Sequence, residues 1–255
     1  VAYWLTEGPE KGIEMRACNR QLNQLREMNF EIDYLDYPAG SCLVTAGRTR
    51  GLCAVSVENR VPQFLVGRGT GWLTAEYSLL PFATHDRTAR EANVGRLSGR
   101  TQEIRRFIGR SLRPIFDLRM VGERTFIIDC DVLQADGGTR TTAVNGAFVA
   151  LHSAVAKMMV NKQFKDSPIT DYVAAVSLGI VKGQLMLDLD YEEDSSAEID
   201  MNLVMTGRGK IIETQATAER SPVAREKFEE LLDLGINGIE QIVTLEKKIL
   251  EAGTG

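Results

Sequence analysis

With 255 residues, 44% hydrophobic and 25% charged, the chain has a globular composition, is long enough to bury a substantial core, and is not a disordered segment. A formal net charge of -5 argues against a general polyanion binder. No window reaches the unbroken apolar length of a membrane span and the leading residues lack a secretory pattern, so we expect a cytoplasmic protein with no membrane partner.

The charge is unevenly spread. From residue 48 to residue 119 every basic side chain is arginine and arginines outnumber acids roughly two to one, whereas acids dominate from residue 162 onward. A lysine-free basic run either suits bidentate phosphate recognition or merely solvates helix faces. The cysteines, Cys18, Cys42, Cys53 and Cys130, lack paired spacing and are expected to be buried thiols.

Residues 1–14 show no periodicity and are expected to be an extension, with Met15 as the start of the fold and one domain over 15–255. Residues 28–35 alternate apolar and acidic side chains, 41–46 and 52–57 read as strands around a basic turn at 47–51, and the three form an antiparallel meander. Residues 60–96 are a long excursion rich in glycine and arginine, interrupted by a short strand over 72–79. Ser98-Gly99-Arg100-Thr101 opens a helix with apolar positions Ile104, Phe107, Ile108, Leu112 and Ile115, in which Pro114 is expected to kink the last turns.

Residues 127–134 read as a strand that breaks at Gly137-Gly138 and continues as Thr139-Arg140-Thr141 into an apolar helix reaching Met159. Such a terminus exposes unpaired backbone N–H groups, and Arg140 adds a planar fork beside them. The arrangement is either a phosphate site or a tight turn with a solvated arginine. Gly99-Arg100-Thr101 echoes it, which would bring two helix N-termini and two arginines to one cleft. His152 is expected to pack in the core and His85 to lie in a loop, so no histidine metal cluster is expected.

Residues 172–180 and 185–190 read as a hairpin. Asp194, Glu198 and Asp200 are an even number of residues apart, so an extended backbone would put all three on one face, either to hold Mg²⁺ or as a solvated acidic loop. Residues 222–250 read as a covering helix with breaks near Gly235 and Gly238.

Four segments together resemble the bacterial ribonuclease PH family of phosphorolytic exoribonucleases that trim tRNA 3′ ends. They are Trp72-Leu73-Thr74-Ala75-Glu76-Tyr77, Ser98-Gly99-Arg100-Thr101-Gln102-Glu103-Ile104, residues 129–141 and residues 187–202. The resemblance implies an α+β fold of duplicated βαβα units, of the ribonuclease PH and ribosomal protein S5 domain 2 type, with mixed sheets and covering helices. The halves would span about 28–120 and 124–250, and the assembly would be a homo-hexamer, a trimer of dimers. It implies phosphate held by Arg100, Gly138, Thr139 and Arg140, and Mg²⁺, with Mn²⁺ as the alternative, on Asp194 and Asp200. Arg60, Arg68, Arg87 and Arg90 become candidates for gripping tRNA precursors and other RNA 3′ ends. Nucleoside diphosphates would be the products and the substrates of the reverse, nucleotidyltransferase direction. The alternative is a catalytically silent RNA-binding subunit of an exosome-like ring. The chain departs from the family at Arg16-Ala17-Cys18-Asn19-Arg20, where an aspartate and glycine are usual, and at Phe82, Pro114 and Ala216.

Overall fold

The computed structural model describes residues 16, 19–219 and 222–252; the leading extension, Met15 and Cys18 lie outside the described residues. Among the described residues nine strands form two sheets, and helices lie between and outside them. The first sheet has the order β1-β2-β3-β5-β4, with β1 Met28–Ile32, β2 Gly40–Ala46, β3 Thr49–Glu58, β4 Trp72–Leu79 and β5 Thr125–Gln134. The expected meander is β1 to β3, although the turn is tighter than 47–51, because Thr49 to Gly51 already pair in β3 with Ala46 to Val44. β4 runs parallel to β5, Trp72 opposite Thr125 and Leu79 opposite Val132. The outward carbonyls of edge strand β4 do not stay bare: Arg113 donates to Leu73 O at 3.1 Å and Arg105 to Ala75 O at 3.5 Å, which blocks addition of a further strand.

Between β4 and β5 the chain forms a short helix α1, Glu91–Val94, and then α2, Gly99–Leu112. Ser98 caps α2 by accepting the Thr101 N–H. The expected kink at Pro114 does not occur. α2 ends at Leu112, and Pro114 stands in a separate 3-10 turn over Arg113–Ile115, near a start where a missing N–H costs nothing.

After β5 comes α3, Thr139–Val160, sixteen of whose side chains are buried. It is long and apolar enough to cross a membrane by length and composition, contrary to the expectation from the sequence. Its apolar surface is spent otherwise. One side covers β2 and β3, the other packs on β6 of the second sheet, so it is apolar nearly all round. The second sheet has the order β7-β6-β8-β9, from β6 Val173–Val181, β7 Gln184–Leu187, β8 Ile199–Thr206 and β9 Ile211–Ala218. β6 is buried on both faces: Val173 and Ala175 belong to the core around α3, while Ala174, Val176, Leu178 and Ile180 meet the final helix α5, Arg225–Ala252. α5 runs without the expected breaks, because Gly235 and Gly238 lie against Leu203 and Leu187, where a larger side chain would collide.

β5 lies inside the first sheet and α3 packs on both, so the two sheets divide the chain after α3.

Candidate active site

Because β4 and β5 are parallel, the chain leaves both at the same edge of the sheet, and the helices that follow, α2 and α3, begin there. That places Arg100 in the first turn of α2 and Thr139 and Arg140 in the first turn of α3. The turn before α3 needs its two glycines. Gly137 has φ 75°, and a Cβ there would sit 2.5 Å from the Asp190 carbonyl carbon. Gly138, the N-cap, has φ 59°, and a Cβ there would come within 2.7 Å of Arg26 Nη2. No side chain caps α3, which leaves its first N–H groups for an anion.

Arg140 is held by two neighbouring side chains. Its Nη1 donates to Gln215 Oε1 at 2.8 Å and lies 3.4 Å from Glu103 Oε2, and Gln215 Nε2 in turn donates to Glu103 at 3.0 Å. Arg100 is exposed. Tyr77, buried at the end of β4, donates to Thr139 Oγ1 at 3.1 Å, and burial raises its hydroxyl pKa while Arg100 and Arg140 pull it back.

The acidic segment is not extended as expected. Tyr191–Ser196 is a short helix, α4, capped by Asp190, whose carboxylate accepts the Glu193 N–H at 3.0 Å while Glu193 accepts the Asp190 N–H at 3.0 Å. Asp194 therefore projects from a helix and Asp200 from β8, while Glu198 turns away to accept the Gly183 N–H at 3.0 Å. Asp194 and Asp200 are still near enough to feel each other's charge. Burial first, then the charge of Asp194, pushes the Asp200 carboxyl up to about 6, with Arg140 and Arg100 opposing. Partial desolvation likewise raises Asp194, against Arg100, Arg140 and Arg26. All four candidate catalytic side chains thus lie within electrostatic reach of one another.

Two carboxylates that disfavour each other's charge are hard oxygen donors that fit a divalent cation able to take its other ligands from water and phosphate. Among the described residues no group of three or more potential protein ligands is gathered, so such an ion would depend on substrate oxygens.

The remaining arginines separate. Arg87 and Arg90, both exposed, follow β4 and lie toward the edge where α2 begins, Arg90 as the N-cap of α1. Arg60, paired with Glu58 at 2.7 Å, and Arg68 lie near the other end of the sheet, where Thr125 bonds to Arg60 O and Gly69 to Glu123. The ten residues of β5 put about 30 Å between the two ends.

The altered N-terminal arm is nonetheless held. Arg16 forks onto Glu193 and donates to Leu187 O at 2.6 Å, Arg20 donates to Asp188 O at 2.9 Å, and Arg26 pairs with Asp188. The local sequence reading missed Tyr77, Gln215, Glu103 and Arg26. Only the Asp190-x-x-Glu193 spacing carried a local signal, that of a capping box. His152 packs between Phe148 and Tyr172, as expected.

Known proteins share this plan. Residues 24–157 match domain 1, and residues 171–238 domain 2, of the 3′ exoribonuclease family. The chain belongs to the 3′ exoribonuclease family. The chain is 52% identical over 237 residues to "Ribonuclease PH" of Bacillus subtilis, covering 92% of this chain and 97% of the relative. It is 51% identical over 246 residues to that of Moorella thermoacetica, covering 94% and 98%. Among solved structures, rice (Oryza sativa) Rrp46 superposes with a TM-score of 0.76 at 19% identity, over 92% of this chain and 100% of that one. An Archaeoglobus fulgidus exosome with RNA bound to the active site gives 0.77 at 19%, over 92% and 93%. At that identity the likeness is one of fold. The family's domain boundary falls between α3 and β6, where the two sheets divide.

Proposed function

We propose that this chain is a phosphate-dependent 3′-to-5′ exoribonuclease that shortens tRNA precursors and other RNA 3′ ends, releases nucleoside diphosphates, and runs in reverse as a nucleotidyltransferase. The observation that carries the reading is the convergence of two arginines at two helix N-termini on a pair of carboxylates. Identity of 52% to ribonuclease PH over nearly the whole chain supports it.

Phosphate sits at the start of α3, held by backbone N–H groups of the Gly138 turn, Thr139, Arg140 and, from the facing helix, Arg100. The two guanidinium groups neutralise the nucleophile, so it can approach an anionic phosphodiester. An oxygen of hydrogen phosphate attacks the terminal phosphorus, the bond to the 3′ oxygen of the preceding nucleotide breaks, that oxygen takes up the proton the hydrogen phosphate gives up, and the last nucleotide leaves as its diphosphate. No histidine base is required, because phosphate is already ionised near neutral pH. One phosphoric linkage replaces another, so excess diphosphate drives the reaction backwards. A divalent cation, Mg²⁺ or Mn²⁺, on Asp194 and Asp200 would supply positive charge beside the departing oxygen. Arg87 and Arg90 are placed to grip RNA phosphates near the cleft, and Arg60 and Arg68 to do so only for RNA that extends across the sheet or lies on another subunit.

We also propose a ring of six subunits, a trimer of dimers, testable by particle mass in solution. The silent-subunit alternative is supported by fold alone, whereas Arg100, Arg140, Asp194 and Asp200 are all present. The deciding assay incubates tRNA bearing a short 3′ extension with Mg²⁺, with and without phosphate. Phosphate-dependent nucleoside diphosphates are expected; monophosphates formed without phosphate would make the protein a hydrolase.

A further inference from the structure

The underside of the phosphate turn rests on a buried ion pair. Arg26 Nη1 donates to Asp136 O at 2.6 Å and at 3.4 Å to Gly137 O, the two carbonyls just before the N-cap of α3. The other edge of the same guanidinium faces Asp188, Nε to Oδ2 at 3.0 Å and Nη2 to Oδ1 at 2.7 Å, and the Arg26 backbone N–H adds a third bond at 2.7 Å. Arg26 is 6% exposed and Asp188 4%. Both are too buried to reach a substrate, so apart from the charge that Arg26 presents to Asp194 their contribution passes through the backbone they hold.

What they hold is one wall of the site on each side. Arg26 fills the space left by the missing side chain of Gly138, where the neighbouring Ser177 Oγ is buried and makes no hydrogen bond among the described residues. Thr49 reinforces the same turn, its hydroxyl donating to Gly137 O at 2.8 Å and accepting the Asp136 N–H at 3.0 Å. Asp188 opens the three-residue link from β7 to α4, the helix of Asp194, and its own backbone is left-handed at φ 54°. A non-glycine residue persists there only when its surroundings hold it, and three hydrogen bonds from Arg26 do so. The turn follows a strand of the first sheet and the link follows a strand of the second, so this pair ties together the two halves of the cleft.

We propose that Arg26 and Asp188 are a positioning pair, setting the separation between the turn that receives phosphate and the segment that carries Asp194. The proposal rests on the phosphorolytic reading. In-line displacement depends on the placing of the nucleophile, and a misplacement of about 1 Å costs on the order of a hundredfold in rate. A lysine at 26 keeps the charge but cannot span the Asp136 carbonyl and both oxygens of Asp188.

The test compares wild type with Arg26→Lys, Asp188→Asn, the double variant and Thr49→Val. It reads kcat and KM for phosphate on a 3′-extended tRNA, the rise in Tm caused by inorganic phosphate alone, and RNA affinity without phosphate. Arg26→Lys and Asp188→Asn are each expected to raise KM for phosphate about tenfold and to shrink the phosphate-induced rise in Tm. RNA affinity should stay within about twofold, and the double variant should lose no more than about what either single variant loses. Thr49→Val removes one hydroxyl from the same turn and decides the matter if the charged variants do not fold; about a threefold rise in KM is expected. Unchanged phosphate KM and phosphate-induced Tm shift in the folded variants, with only a lower basal Tm, would reduce the pair to a structural role and overturn the proposal. A wild type that released no diphosphates would remove the phosphorolytic reading itself, a result visible before any variant is made.

Discussion

Tyr77, at the end of β4, donates its phenolic hydrogen to Thr139 Oγ1, in the first turn of the helix that follows the neighbouring strand β5. This bond fixes the rotamer of a threonine in the first turn of α3, where we propose that phosphate binds. Tyr77→Phe removes only the hydroxyl, so we expect about 1 kcal/mol lower stability and a few-fold higher KM for phosphate. Denaturant unfolding and steady-state kinetics check the two parts separately.

Arg140 is held by Gln215 and Glu103, which fixes the position of its charge. Arg140→Ala should lower kcat by at least about a hundredfold while RNA binding is largely retained. An equal loss of RNA affinity in a filter-binding assay would make Arg140 an RNA contact instead.

Asp194 and Asp200 each raise the cost of the other's charge, a cost that a cation between them would offset. Asp194→Asn and Asp200→Asn are each expected to lose cation-dependent activity and to weaken Mn²⁺ binding followed by electron paramagnetic resonance. If both variants keep the wild-type cation dependence and Mn²⁺ affinity, the metal assignment is wrong.

Glu246 on α5 is fully buried, and neither carboxylate oxygen has a hydrogen-bond partner among the described residues. Burial raises its pKa well above 4.5, so the fold favours the neutral acid. A group raised in the folded state contributes stability that is fully present below its unfolded pKa and is lost as pH rises through the folded value. Glu246→Gln should therefore flatten the fall in stability between mildly acidic and alkaline pH, and gain about 1 kcal/mol or more at pH 8. Urea unfolding at pH 5 and pH 8 measures this; parallel slopes for the two proteins would show that Glu246 is hydrated or paired.

The local elements were legible because they depend on neighbours in sequence. The alternation of β1 to β3, the strand β4, the Ser98 cap and the glycine break before α3 each follow from steric and hydrogen-bonding preferences within a few residues. The same short-range logic located Arg100 and Arg140 in the first turns of helices, since helix starts announce themselves. It misjudged Asp194, where even spacing was taken for a strand and the capping box of Asp190 and Glu193 was passed over. It also placed Pro114 inside α2, although a proline fits as well at the start of the next turn.

What the sequence by itself determined, then, is most of the inventory: the strands of the first sheet, the long helices α2, α3 and α5, the two arginine-bearing helix starts and the family resemblance. Only the tertiary structure decided that α2 and α3 begin at one edge, that Arg26 reaches Asp188, 162 positions away, and that Asp194 and Asp200 face the arginines. The reason is physical. A hydrogen bond or charge pair between distant residues leaves no periodicity in the chain, and its partners are chosen by how parallel strands and a shared central helix bring two sheets together.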